Sequence, residues 1–259
     1  MPNLSLKGRS YHYRDEGAGR AVVLLHPFPL SSKAFAPALA GVPKGVRLLV
    51  PDARGFGQSA SGPLSMEAIA EDALALLDAL EIDQAVIGGV SMGGYAAMAL
   101  LRLDASRVKG LVLCDTQATA DDEAARAARE ATAVEIENNG LQAFSVAMAK
   151  RLLGPAASDE VRRDVEAQIR AQDPKVVAAC SRALGQRADS RELLGRYAGP
   201  AMVVVGAEDA ITPPARAQLM HELLGGSSLV TIAGSGHLPQ LEKPEEFGRA
   251  LWEFCALVG

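Results

Sequence analysis

Few features of this 259-residue chain point to a disulfide framework, a metal centre or a membrane segment. The three cysteines are far apart and odd in number, so we expect no disulfides and predict a reducing, cytoplasmic location. None of the four histidines belongs to an HExxH or similar ligand pair, so we expect neither a metal nor a cofactor. No apolar run approaches the roughly 18 residues of a membrane span, and the first residues lack the regions of a signal peptide.

The chain also lacks a surplus of positive charge. Its net charge is −5 and no basic stripe runs along it, so nucleic acids and anionic membranes are not expected partners. Aromatic residues are few, at 4%, whereas apolar residues make up 49% and charged residues 22%. This balance is typical of an ordinary globular protein, and the length suits one large domain or one domain with an insertion.

Short apolar runs alternate with helical patterns along most of the chain. The run 21–25 is continuously apolar, as expected of a strand covered on both faces, and Ser65 suits the N-cap of the helix that follows it. The predicted strands are 11–16, 21–25, 46–50, 85–87, 108–114, 201–205 and 228–232. The predicted helices are 66–80, 95–101, 213–224 and 244–257. This alternation predicts an α/β fold with a mostly parallel central sheet flanked by helices.

One segment interrupts the alternation. Residues 117–199 contain no apolar strand run, are rich in Ala, Arg, Glu and Gln, and have helical periodicity broken by glycine and proline. We therefore predict a core formed by 1–116 and 200–259, with a helical insertion at 117–199. Such an insertion can lie over the carboxyl edge of the sheet, where open α/β folds bind ligands.

The most informative motif is Gly-Val-Ser-Met-Gly at 89–93. A predicted strand runs into it and a helix-prone stretch follows, which is the arrangement of a nucleophile elbow. Ser91 is then expected in a strained conformation, with its hydroxyl clear of the sheet. Gly89 and Gly93 are required because side chains there would collide across the turn. The first amides of the following helix should point to the space in front of the serine.

A serine nucleophile needs a base, and the base needs an acid that orients it. His237 is the candidate base, because it follows a predicted strand through a flexible Ala-Gly-Ser-Gly loop. Asp209, just past another strand, is the favoured acid, with Glu208 and Asp115 as alternatives. The order serine, aspartate, histidine differs from the orders in chymotrypsin-like and subtilisin-like enzymes.

An oxyanion formed at the serine needs two N–H donors. One is expected to be the backbone of Met92, directly after the nucleophile. The other should come from the His-Pro-Phe-Pro loop at 26–29, after a predicted strand. Both prolines lack an N–H, so Phe28 is the donor among the three residues after His26. The prolines also stiffen this loop and should hold the Phe28 amide in place.

Together these motifs resemble the α/β-hydrolase family. The matching segments are 26–29, 52–59, 89–93, 206–213 and 237–247. Within the family the chain is most similar to small carboxylesterases, 3-oxoadipate enol-lactonases and cofactor-free haloperoxidases. The resemblance implies an α/β-hydrolase fold with the triad Ser91, Asp209 and His237, and with 117–199 as its helical cap. Pro27 departs from the family, which usually has glycine there.

The expected function is hydrolysis of a small carboxylic ester or lactone through an acyl-enzyme on Ser91. Amide and carbon–carbon bond hydrolysis use the same triad and stay open, as does perhydrolysis of the haloperoxidase type, in which hydrogen peroxide replaces water. Epoxide hydrolases and haloalkane dehalogenases are set aside, because they require a carboxylate nucleophile whereas residue 91 is serine. A non-catalytic ligand-binding protein on the same fold is the alternative from another class.

Substrate preference is harder to predict from the sequence. The candidates for the pocket wall are Phe28, Tyr95, Ile211 and Leu238. The apolar insertion residues Phe144, Met148, Leu152 and Leu153 are expected either to face the pocket or to join the insertion to the core, and the second arrangement is favoured. The insertion carries arginines and acidic residues in nearly equal numbers, so no preference for substrate charge follows.

Overall fold

A computed structural model describes residues 3–6, 8–37 and 41–258 of the chain. One eight-stranded sheet runs through these residues, with helices on either side of it. The strands are β1 (Asn3–Leu6), β2 (Arg9–Gly17), β3 (Gly19–Leu25), β4 (Gly45–Pro51), β5 (Ala85–Val90), β6 (Val108–Cys114), β7 (Ala201–Gly206) and β8 (Ser228–Ile232). All seven predicted strands are present, whereas β1 was not predicted.

The strand order is β1-β2-β4-β3-β5-β6-β7-β8. β2 pairs antiparallel with both β1 and β4, and every other pair is parallel. The parallel strands β3, β5, β6, β7 and β8 therefore end at one edge of the sheet. The residues directly after each of them are brought to that edge, which is where an open α/β sheet places its ligand site.

Ten α-helices lie in the described part of the chain. They are α1 (Met66–Ala79), α2 (Met92–Leu103), α3 (Glu123–Asn139), α4 (Gln142–Leu152), α5 (Asp159–Arg170), α6 (Pro174–Gly185), α7 (Arg191–Arg196), α8 (Pro214–Leu223), α9 (Pro239–Glu242) and α10 (Pro244–Leu257). Ser65 caps α1 as predicted, because its Oγ accepts a hydrogen bond from the Ala68 N–H at 3.0 Å. The α/β-hydrolase fold is confirmed.

The interior follows the apolar pattern of the sequence. Residues 21–25 of β3 and all of β5 are buried, as expected for strands covered on both faces. α2 is buried around its whole circumference over residues 92–101 and contacts α1, β3, β5 and β6. The elbow at the start of α2 is therefore held by the centre of the core.

Five helices, α3 to α7, occupy the segment between β6 and β7. No strand interrupts them among the described residues, which confirms the helical content predicted for 117–199. α3 packs against α6, and α4 packs against α5. The division into a core and a cap domain stays a prediction.

Candidate active site

The elbow has the backbone that the sequence motif predicts. Ser91 lies between β5 and α2 with φ 53° and ψ −113°, a conformation that costs strain for a residue with a side chain. A Cβ on Gly89 would overlap the backbone of Gly93, and a Cβ on Gly93 would overlap the Leu25 carbonyl. Both glycines are therefore required by the close approach of α2 to the strands.

The structure brings His237 and Asp209 together in the buried interior. The His237 Nδ1 lies 2.7 Å from the Asp209 Oδ2, and both residues are almost fully buried. Thr212 donates its hydroxyl to the same Asp209 oxygen at 2.7 Å, while the Ile211 and Thr212 N–H groups donate to the other oxygen. Burial would raise the pKa of Asp209, but the bonds from His237 and Thr212 outweigh it and lower the pKa to about 2. The carboxylate is thus ionised and fixed beside the imidazole.

The other two candidate acids occupy different positions. Glu208 is exposed. Asp115 is buried within 4.8 Å of the pair's side-chain atoms and has φ 43°, and its Oδ1 accepts a hydrogen bond from the Gly206 N–H at 2.8 Å. Burial and the nearby charge of Asp209 raise the pKa of Asp115 well above its usual value. Of the three, Asp209 is the acid that contacts His237.

The two backbone N–H groups predicted as oxyanion donors are those of Phe28 and Met92, and both residues are buried. Neither N–H group has a hydrogen-bond acceptor among the described residues. The His26 ring, which is buried, accepts a bond from the Ala53 N–H at its Nε2 and donates from Nδ1 to the Pro27 carbonyl at 3.0 Å. Burial lowers the pKa of His26, which keeps the ring neutral and able to accept. Because a peptide group is planar, fixing the Pro27 carbonyl also fixes the direction of the Phe28 N–H.

A cavity of about 350 Å³ lies in front of the serine, between the sheet edge and helices α3, α4 and α6. Ser91, His237 and Phe28 all line it, so the structure gathers the predicted nucleophile, base and oxyanion donor around one space. No hydrogen bond joins the Ser91 and His237 side chains among the described contacts. Such bonds are often long in free enzymes and tighten when substrate binds.

Predictions for the pocket wall have mixed outcomes. Tyr95 and Ile211 line the cavity with Phe28. Leu238 is completely buried and lies in the core, outside the cavity lining, because the segment after His237 turns inward into α9. Of the four apolar insertion residues, Met148 and Leu152 line the cavity, which is the less favoured of the two arrangements expected from the sequence. Phe144 and Leu153 are buried and outside the lining, as expected.

Sequence reasoning gave no role to Glu242, yet it connects the His237 loop to the insertion. Its Oε1 accepts hydrogen bonds from the Gly236 and Leu238 N–H groups at 3.0 and 3.2 Å. Its Oε2 accepts from the Gly154 N–H, just after α4, at 2.7 Å. The His237 N–H itself donates to the carbonyl of Leu152 at 2.8 Å. The sequence offers no signal that singles out Glu242, because Glu245 and Glu246 follow it within four residues.

Comparison with known proteins agrees with the fold. A family model described as alpha/beta hydrolase fold matches residues 20–244. The chain belongs to the α/β-hydrolase fold family. Its similarity to the curated 3-oxoadipate enol-lactonase 2 of Acinetobacter baylyi is 30% identity over 205 residues, covering 77% of this chain and 75% of the relative.

Two solved structures are similar to this α/β hydrolase over almost its whole length. A thermophilic esterase from Thermogutta terrifontis, solved with malate bound, has a TM-score of 0.94 at 33% identity and covers 99% of this chain and 98% of its own. The enol-lactonase from Burkholderia xenovorans LB400 has a TM-score of 0.90 at 26% identity, covering 98% and 100%. The chain is therefore an α/β hydrolase whose similar proteins include an esterase and enol-lactonases. No described helix is long and apolar enough to cross a membrane.

Proposed function

We propose that this α/β hydrolase cleaves small carboxylic esters or lactones through an acyl-enzyme formed on Ser91. The observation that carries the proposal is the buried His237–Asp209 pair, joined at 2.7 Å, whose His237 lines the same cavity as the strained Ser91. An ionised aspartate at Nδ1 leaves the other ring nitrogen, Nε2, to accept the proton of the serine hydroxyl. The similar esterase and enol-lactonases favour esters and lactones among the reactions that this triad supports.

The first half of the reaction acylates the enzyme. The Ser91 Oγ attacks the acyl carbon while its proton passes to Nε2 of His237, and Asp209 stabilises the resulting imidazolium. The negative oxygen of the tetrahedral intermediate accepts hydrogen bonds from the N–H groups of Phe28 and Met92. The carbon–oxygen bond of the ester or lactone then breaks, and the leaving oxygen takes the proton from His237.

The second half releases the acyl group with water. His237 accepts a proton from a water molecule, whose oxygen attacks the acyl carbon and forms a second oxyanion at the same two N–H groups. The bond to Ser91 breaks, and the serine oxygen recovers its proton from the imidazolium. An ester gives an acid and an alcohol, whereas a lactone gives one ring-opened acid. No further group is consumed.

Replacement of the nucleophile tests the proposal. We expect Ser91→Ala to lower kcat for p-nitrophenyl butyrate by at least about 10³-fold, because nothing else at the site can form the acyl-enzyme. Ser10→Ala, at an exposed position of β2, is the control. Mass spectrometry of the wild-type protein quenched during turnover should find the butyryl group on the peptide containing Ser91. Retained activity in Ser91→Ala, or acylation elsewhere, would show the proposal to be wrong.

A further inference from the structure

Three arginines line the cavity, although the net charge of the protein is negative. Among the described lining residues, the charged ones are Arg129, Arg151, Arg216 and Asp121. The excess of positive charge at the cavity contrasts with the net charge of −5 for the chain. A cavity lined by charges of one sign, within low-dielectric walls, concentrates ligands of the opposite sign.

Asp121 does not neutralise this positive charge, because its carboxylate is already paired with two guanidinium groups. Its Oδ2 accepts a hydrogen bond from Nε of Arg129 at 2.5 Å, and its Oδ1 lies 2.6 Å from a terminal nitrogen of Arg187. Burial would raise the pKa of Asp121, but the two arginines outweigh burial and lower it. The Arg187 guanidinium is itself buried and lies 4.2 Å from the centre of the Tyr95 ring. One carboxylate thus faces two guanidinium groups.

The guanidinium groups of Arg151 and Arg216 have no ion-pair partner among the described residues. Both side chains are exposed and line the cavity, and neither has an ion pair or side-chain hydrogen bond within the described part of the chain. Arg151 directly precedes Leu152, whose carbonyl accepts the His237 N–H. Arg216 lies in the first turn of α8, four residues after the Thr212 that binds Asp209. The two arginines therefore approach the cavity beside elements that hold the His237–Asp209 pair.

The acidic residues of the insertion that would balance these arginines lie elsewhere. Glu130 and Glu137 of α3 both bind Arg182 of α6, with all three side chains partly exposed and outside the cavity lining. Glu166 pairs with Arg170 along α5. The insertion has ten arginines and thirteen acidic residues, yet at the cavity lining the arginines outnumber the acids.

We propose that the substrate carries a carboxylate in addition to its ester or lactone, and that Arg151 and Arg216 bind that carboxylate. This inference rests on the proposed hydrolytic function of Ser91. Guanidinium groups bind carboxylates through charge-assisted and often bidentate hydrogen bonds, which neutral substrates cannot form. The cavity of about 350 Å³ limits the substrate to a small molecule.

The test compares esters that differ only in charge. Monomethyl esters of succinic, glutaric and adipic acids are paired with methyl esters of the same length that end in a primary amide. For the chain length that fits the cavity best, we expect kcat/KM of the acid to exceed kcat/KM of the matching amide by about 10- to 100-fold. Each charge-assisted bond contributes roughly a factor of ten. Raising NaCl from low to molar concentration should shrink the preference by screening.

Substitutions then locate the preference. Arg151→Gln and Arg216→Gln should each reduce the acid-to-amide ratio about tenfold, the double variant should bring it close to one, and Arg216→Lys should keep part of it. Arg163→Gln, on the exposed face of α5 and outside the cavity lining, should keep the wild-type ratio. A ratio near one in the wild type, or a ratio unaffected in the double variant, would overturn the inference.

A binding measurement separates this inference from the proposed function. Glutarate should raise Tm of the wild type more than glutaramide or sulfate does, and the double variant should lose that difference. If Ser91-dependent hydrolysis occurs without preference for acids, the inference fails while the proposed function stands. If no ester is hydrolysed, the proposed function fails, and an absent shift with glutarate would overturn the anion site as well.

Discussion

Replacement of Glu242 by glutamine probes how firmly His237, the proposed base, is held. The carboxylate accepts three backbone N–H groups, and two of them belong to Gly236 and Leu238 on either side of His237. The third, from Gly154, belongs to the insertion. Glutamine keeps the shape of the side chain but has one acceptor oxygen and no charge. Whichever way its amide turns, its NH₂ group faces an N–H donor.

The magnitude follows from those contacts. Hydrogen bonds to charged groups contribute about 1.5–3 kcal/mol each, and neutral ones about 1 kcal/mol. Glutamine removes one of these three charge-assisted hydrogen bonds and makes the other two neutral. We therefore expect the free energy of unfolding to fall by about 2 to 4 kcal/mol. For a chain of this size that corresponds to a loss of roughly 5 to 15 °C in Tm.

The catalytic effect should appear in kcat more than in KM. Looser support of the His237 loop displaces the base from the serine, and a displacement near 1 Å can cost about 10²-fold in rate. We expect Glu242→Gln to lower kcat about 10- to 100-fold below its new Tm, with Glu242→Asp intermediate because the charge is kept. Glu253→Gln, exposed on α10, serves as the control. A variant that loses stability but keeps the wild-type kcat would refute the positioning argument, and unchanged Tm would refute the energetic one.

Two further predictions concern buried titratable residues. His26→Ala should lower kcat for p-nitrophenyl butyrate about tenfold with little change in KM, because the Phe28 N–H loses its support; an unchanged kcat would contradict this. Asp115→Asn should raise Tm at pH 7 while keeping most of the activity. The raised pKa of Asp115 means that the wild type loses stability as pH rises above about 4, the unfolded value. Calorimetry should find the gain vanishing below that pH, and a gain independent of pH would exclude the explanation.

Local sequence signals predicted most of the fold because burial on both faces leaves a continuous apolar run. The bounds of β6, β8 and α10 agree with their predicted bounds residue for residue. β1 was missed because it pairs only with β2 and its sequence has no such run. Strand order was not predicted, since the pairing of β4 between β2 and β3 depends on contacts that the sequence pattern does not encode.

The candidate site was predictable where backbone geometry dictates residue type. At the elbow, Gly89 and Gly93 mark close contacts that exclude a Cβ, so the motif itself carried the structural information. The insertion was different, because the direction of each helix face decides what meets the cavity. Ala125, Ala128, Arg129 and Thr132 of α3 line it at helical spacing, whereas Glu130 points elsewhere and binds Arg182. The amino-acid composition of the insertion counts all of these helix faces together, so it does not reveal the positive charge at the cavity.

The choice between Asp209 and Asp115 shows how environment separates two carboxylates that both follow predicted strands. Both follow a parallel strand, and both lie with His237 in a cluster whose atoms are within 4.8 Å of one another. Asp209 receives the His237 ring, the Thr212 hydroxyl and two backbone N–H groups, which together favour its charge. Asp115 receives one backbone N–H and the Cys114 thiol, too little to offset burial beside a second negative charge. The same burial therefore leaves one carboxyl ionised against the imidazole and favours a proton on the other, so Asp209 is the carboxylate suited to stabilise the imidazolium of the proposed reaction.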